Sequence, residues 1–190
     1  MSKAVLISIR PKWCEKIVSG EKTIEVRKAR PKLETPFKCY IYCSKAKQRF
    51  VGILKDGEEN YGEIYHGKPV FIKVDEGSVC DMWGKRQKVI GEFTCDRIDE
   101  YDDDTIFSFR HEDYARWNDF DLDRACMRPE DFQNYANGKW LYGWHISDLK
   151  IYDTPRELRE FTGLRQTKFG AEPVTITRPP QSWCYVEEFL

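Results

Sequence analysis

Lys22, Glu25 and Arg27 are the residues of this chain whose types and spacing could do chemistry together. They sit in the stretch Ser19–Lys28, where Ile24 and Val26 alternate with Thr23, Glu25 and Arg27. That period of two predicts a half-buried strand with a carboxylate and a guanidinium on its polar face. Two residues along a strand span roughly 6.6 Å, so Glu25 and Arg27 can touch one small ligand. Strand parity sends Lys22 to the opposite face, and a turn after Gly20 would have to bring it back. A lysine beside a cleft acts as a general base where burial lowers its pKa, and holds an anion where it stays charged. Glu25 could activate a water while Lys22 polarises a carbonyl. The plainer alternative is a strand edge laced with charges, which is common.

The elements needed to position these residues are legible on either side. Ala4–Ile9 reads as a strand, and Pro11 suits the first turn of a helix running to Ser19. Trp13, Cys14, Ile17 and Val18 give that helix an apolar stripe, and Gly20 supplies a left-handed stop. Phe37–Cys43 reads as a strand from its aromatic and β-branched content, as does Lys88–Ile98. Asp99–Asp104 reads as a solvated loop, and Pro129–Gly138 as a helix with Phe132, Tyr135 and Ala136 inward. Trp140–Tyr152 reads as a long strand or a bent strand pair. Thr154-Pro155-Arg156-Glu157 has the form of a capping box, opening a helix that ends at Gly163. Thr167–Pro180 reads as extended or loose, and Gln181–Glu187 as a final strand. The whole is one domain, 1–190, with insertions around 56–87 and 105–138, the second a helical elaboration. Short strands at Val70–Val74 and Val79–Trp83 are expected in the first insertion. Strands outnumber helices and few connections have a helical crossover, which favours an α+β fold around a mixed β-barrel.

The order Gly20-x-Lys22-x-x-Glu25-x-Arg27, placed after a short strand and a helix, resembles the signature of the ASCH domain, a branch of the PUA-like superfamily. The likeness continues in Leu6–Trp13, Lys88–Ile98, Tyr142–Pro155 and Pro180–Glu187. It implies a PUA-like pseudo-barrel with the motif at the mouth of its cleft. The family mixes binders with enzymes. One small member hydrolyses N4-acetylcytidine with a lysine in this motif, a threonine three residues later as nucleophile and a distant glutamate. Lys22 matches that lysine, but the position three later is Glu25, and a carboxylate is a poor substitute for an activated hydroxyl. Other members are ribonucleases.

Composition narrows the classes. The chain has 190 residues, 41% hydrophobic and 33% charged, with a net charge of −1. No apolar run approaches the ~20 residues needed to span a bilayer, and the N-terminal apolar run is too short for a secretory signal. Cytoplasmic residence is therefore the expectation. The seven cysteines are odd in number and lack framework or Cys-x-x-Cys spacing, so neither a disulfide scaffold nor a metal site is expected. Cys39 and Cys43 would sit ~13 Å apart along one strand, too far for one zinc. No cofactor is implied.

Charge is unevenly spread. Residues 1–55 hold 14 Lys/Arg against 4 Asp/Glu, a net +10, leaving −11 for the remainder. Such asymmetry can mark a nucleic-acid face, or cancel if the halves interleave. A positive surface drawn from Lys12, Lys28, Arg30, Lys45, Lys47 and Arg49 is expected beside the motif. The candidate binding residues are Arg10 and Arg27 for phosphate, Trp13 and Trp183 for base stacking, Gln181 for a base edge, and Thr23, Ser44 and Lys45 around the cleft. Lys22 and Glu25 are the candidate catalytic pair. His145 reads as a satisfied strand histidine. Two principal functions stay open: binding of RNA or a plain or modified nucleotide or nucleoside, and hydrolysis of an acylated nucleoside or RNA. A protein-interaction role for residues 99–135 is compatible with either.

Overall fold

The computed structural model describes residues 2–45, 54–55, 58–59, 87–102, 119–168 and 170–189. The short strands expected at 70–74 and 79–83, and residues 103–118 of the second insertion, lie outside them. The described elements are β1 (Lys3–Ile9), α1 (Pro11–Val18), β2 (Ile24–Arg27), β3 (Phe37–Cys43), β4 (Leu54–Lys55), β5 (Glu58–Glu59), β6 (Lys88–Cys95) and β7 (Ile98–Tyr101). They continue with α2 (Asp119–Ala125), α3 (Pro129–Ala136), β8 (Leu141–His145), β9 (Ser147–Arg156), a 3-10 turn (Leu158–Glu160), β10 (Thr162–Thr167), β11 (Gly170–Thr175) and β12 (Trp183–Glu187). The class is mixed α+β, mostly strands.

Hydrogen bonding divides the strands into a seven-stranded sheet, β11-β10-β12-β1-β3-β6-β9, a three-stranded sheet, β2-β8-β7, and the small β4-β5 pair. Only β1 and β3 run parallel in the large sheet, so the sheet is mixed. Its alternation sends Val5, Ile7, Ile9, Cys39, Ile41 and Phe93 to one face, where Cys14 and Ile17 of α1 and Trp144 of β8 close the core. Leu6, Tyr40, Tyr42 and Val186 point the other way, beneath Leu158, Phe161 and Ile176. The small sheet is likewise covered on both faces. Ile24 and Val26 pack with Leu122, Phe132 and Leu141, whereas Trp144 faces the main core.

Five expectations change. The strand of the motif is buried rather than half-buried, because Glu25 is only 6% exposed. The run from Asp99 is not a solvated loop at its start, since Ile98–Tyr101 is β7 and pairs with β8. Charge is tolerated there because Asp99 meets Arg97 and His145. The capping box opens at Glu157 instead of Thr154, and it starts a 3-10 turn, not a helix. Pro155 falls inside β9, where its missing N–H is harmless because β9 is an edge strand. The single strand read over Lys88–Ile98 breaks after Cys95, and Ile98 opens β7, whereas the stretch read as extended or loose is extended over 170–175, in the β10-β11 hairpin. The final strand begins at Trp183, so Gln181 precedes it. The bend between β8 and β9, the α1 boundaries and the left-handed Gly20 (φ 80°) follow the sequence reading.

Gly91 marks the tightest crossing between β6 and β9. A Cβ there would lie 2.4 Å from the Lys150 carbonyl oxygen, a backbone atom. Gly91→Ala should therefore lower stability by about 1–3 kcal/mol, the usual cost of overpacking. Urea unfolding checks it, and an unchanged midpoint would show that β9 yields freely.

Candidate functional site

Lys22 reaches Glu25 because the backbone turns sharply at the end of α1. The Lys22 N–H donates to Lys16 O at 2.8 Å, and the Thr23 N–H donates to Arg124 O at 2.9 Å. These bonds fold the Lys22 side chain under β2. Its ammonium donates to Ile24 O at 2.8 Å and Ala125 O at 2.7 Å, and lies 3.4 Å from Glu25 Oε2. Lys22 thus places a positive charge on the C-terminal carbonyls of α2, where the helix dipole favours it. Arg27 Nη2 meets Glu25 Oε1 at 2.9 Å and donates to Ser8 O of β1 at 2.7 Å. Ser8 in turn donates to Pro180 O at 2.7 Å, tying the segment before β12 to the same place.

These groups line a cleft of about 490 Å³. Its walls hold Arg10 and Trp13 from the start of α1, Ser44 after β3, and Gln181 before β12. Met127 and Tyr135 from the α2–α3 region also line it, with Ser8, Val26, Pro179 and Pro180. Among the described residues, the charged lining residues are Arg10, Lys22 and Arg27 against Glu25, a net +2. Lys12 Nζ lies 4.7 Å from the Trp13 ring centroid, with Lys22 Nζ at 5.2 Å, and Lys28 Nζ lies 5.0 Å from that of Tyr135. Burial pushes the Tyr135 phenol above its ordinary range, so it remains a neutral O–H group.

Three candidates lie away from the cleft walls. Thr23 turns aside, its hydroxyl accepting a bond from Arg124 Nε at 3.0 Å. Trp183 packs on Trp144, with ring centroids 6.0 Å apart, and belongs to the core. Lys45 is exposed but not part of the lining. The positive surface is interrupted, because Arg30 pairs with Glu100 at 2.7 Å. Asp131 also lies nearby, its carboxyl held below the ordinary range by Arg128 and, more weakly, by Lys12. Lys47 and Arg49 lie outside the described residues. Sequence reasoning missed Ser8, Val26, Met127, Tyr135, Pro179 and Pro180 among the lining residues. The inward face of α3 includes Tyr135, but nothing in its spacing says which end of the inner face opens on a cleft.

His145 is buried, with Nε2 2.5 Å from Asp99 Oδ2. The six described cysteines are free thiols. A hydrogen bond with the Cys43 thiol and burial push Cys14 up, and burial pushes Cys95 up to about 12, so both stay protonated. Among the described residues, no cluster of His, Cys, Asp and Glu could hold a metal ion, and no helix is long and apolar enough to cross a membrane.

Comparison with known proteins bears on the family and the fold. A family model of the ASCH domain matches residues 7–153. Among solved structures, the ASCH protein of Zymomonas mobilis is 17% identical with a TM-score of 0.49, covering 97% of this chain and 88% of that one. A tyrosine-to-phenylalanine variant of it gives 17% and 0.50, with coverages of 98% and 92%. A serine-to-alanine variant gives 18% and 0.48, with coverages of 97% and 89%. At such identity the likeness concerns the fold alone. No curated protein matches the chain.

Removing the Lys22 ammonium would strand two buried carbonyls and leave Glu25 with one cation. Lys22→Ala should cost about 3 kcal/mol, the scale for breaking a buried ion pair. A urea midpoint shift worth less than about 1 kcal/mol would show that Lys22 does not hold the motif to α2.

Proposed function

The chain belongs to the ASCH domain family, and from that premise we propose that it binds RNA or nucleotides, receiving one unstacked nucleotide in the cleft at Lys22, Glu25 and Arg27. On this reading the two main sheets serve as the PUA-like pseudo-barrel and the cleft is its mouth. The observation that carries it is the joint lining by three cations, one carboxylate and two aromatic rings. A net-positive cleft suits a phosphodiester anion, and aromatic faces accept any base by stacking. Its volume of about 490 Å³ is in the range of small-ligand sites and excludes a duplex. Arg10 would grip phosphate at the rim, Lys12 and Lys28 would add charge, and Trp13 would stack on the base once Lys12 moves aside.

The hydrolytic alternative needs Lys22 to accept a proton or Glu25 to activate a water. Lys22 already donates to two backbone carbonyls, and Glu25 lies between two cations. That geometry suits positioning better than proton transfer, so binding is favoured.

Titration of a labelled single-stranded RNA, followed by fluorescence anisotropy, tests the proposal. Affinity should fall as salt rises, because phosphate contacts release counterions. Replacing both Arg10 and Lys28 by Ala should weaken binding about tenfold or more while leaving the melting temperature unchanged. Absence of binding at low salt, or binding indifferent to both residues, would refute it.

A further inference from the structure

Among the described residues, three buried side-chain nitrogen or oxygen atoms have no hydrogen-bond partner: Glu25 Oε2, Arg27 Nε and Trp144 Nε1. They cluster. Glu25 pairs directly with Trp144 across β2 and β8, and Arg27 is two residues along the same strand. Trp144 is enclosed in the core, whereas Glu25 and Arg27 line the cleft. Buried polar groups are nearly always satisfied, so an unmet acceptor beside an unmet donor in one cleft calls for a partner.

Resting on the nucleotide-binding reading above, we infer that Glu25 is the specificity-determining residue of the cleft: its Oε2 accepts an N–H from the pairing edge of the bound base. Glu25 Oε1 is engaged by Arg27, while Lys22 gives two of its three N–H donors to carbonyls and stands 3.4 Å from Oε2 in an ion pair that makes no hydrogen bond, so neither lone pair of Oε2 is bonded. Oε2 therefore keeps acceptor capacity. Arg27 Nε offers the complementary donor from the same strand face. The pairing edge of each unmodified base presents an N–H beside an acceptor, which is the pattern these two atoms want. A base seated on the cleft floor would exclude water, where a charge-assisted bond counts most. The cleft would thus accept any base with a free N–H on that edge and reject one without it. This discriminates the state of the base, not its sequence.

Calorimetric titration of the full chain with matched 5′-monophosphates tests the inference. Cytidine monophosphate is compared with its pyrimidin-2-one analogue, and adenosine monophosphate with purine riboside monophosphate. Each analogue lacks the exocyclic amine and adds no bulk. The parent nucleotides should bind about tenfold or more tightly than the analogues, since a site with an unpaired buried acceptor rejects a ligand lacking the donor. Glu25→Gln should reduce that ratio to about threefold or less. If it fails to fold, the wild-type ratios decide alone. Equal affinity of parents and analogues overturns the inference and leaves nucleotide binding standing, as does a ratio that persists in a folded Glu25→Gln. If neither the monophosphates nor single-stranded RNA bind, the proposed function and the inference fall together.

Discussion

Glu25 meets Arg27 at 2.9 Å and Lys22 at 3.4 Å, where water reaches little of any of them. Taking an ion out of water costs several kcal/mol, and one carboxylate cannot balance two cations. The excess charge is met by backbone dipoles. Lys22 takes the carbonyls of Ile24 and Ala125, and Arg27 takes that of Ser8. Those carbonyls belong to β2, the end of α2 and β1. Satisfying the buried charges and docking these elements are consequently one requirement. The cleft exists because the charges cannot be neutralised unless β1, β2 and α2 sit around them.

Outside this group, many cations of the surface close locally. Lys16 meets Glu21, Arg30 meets Glu100, Lys88 meets Glu157, and Arg97 meets Asp99. Exposed pairs of this kind contribute little to stability, but they remove charge from the long-range field. Lys12 and Lys28 instead lie over Trp13 and Tyr135, rings that line the cleft. Among the described residues, the cations of the first 55 residues are therefore not spread evenly over the surface. What bears on a ligand is the smaller part gathered at the cleft mouth with Arg10.

Much of the fold was legible because it depends on local periodicity. The alternation in β1, β3 and β6, the proline at the start of α1 and the glycine at its end all act within a few residues. The failures share a cause: a tertiary partner overrode the local signal. Asp99 and Glu100 look like loop residues until Arg97, His145 and Arg30 are known to answer them. Thr154 looks like an N-cap, but β6 draws β9 out to Arg156 and delays the cap to Glu157. Trp183 looks like a stacking platform beside polar residues, but its alternation along β12 turns it to Trp144. Tyr135 could be placed on an inner face, yet only the approach of α3 to β2 makes that face a cleft wall.

The motif itself shows why spacing alone cannot define the site. Lys22 and Glu25 are three residues apart, while Glu25 and Arg27 are two apart. No single strand puts all three on one face, because a strand repeats every two residues. Their convergence needs a break between Lys22 and Glu25, and the break is supplied from outside the motif. Lys16 O of α1 holds the Lys22 N–H, and Arg124 O of α2 holds the Thr23 N–H. The same break carries the Thr23 hydroxyl away from Glu25 and onto Arg124. Thr23 and Glu25 would face the same way on an unbroken strand, and that is the pairing the sequence suggests. The arrangement that gathers Lys22 into the cleft is thus the one that takes Thr23 out of it. A motif of this spacing acquires its chemistry from the helices at its two flanks.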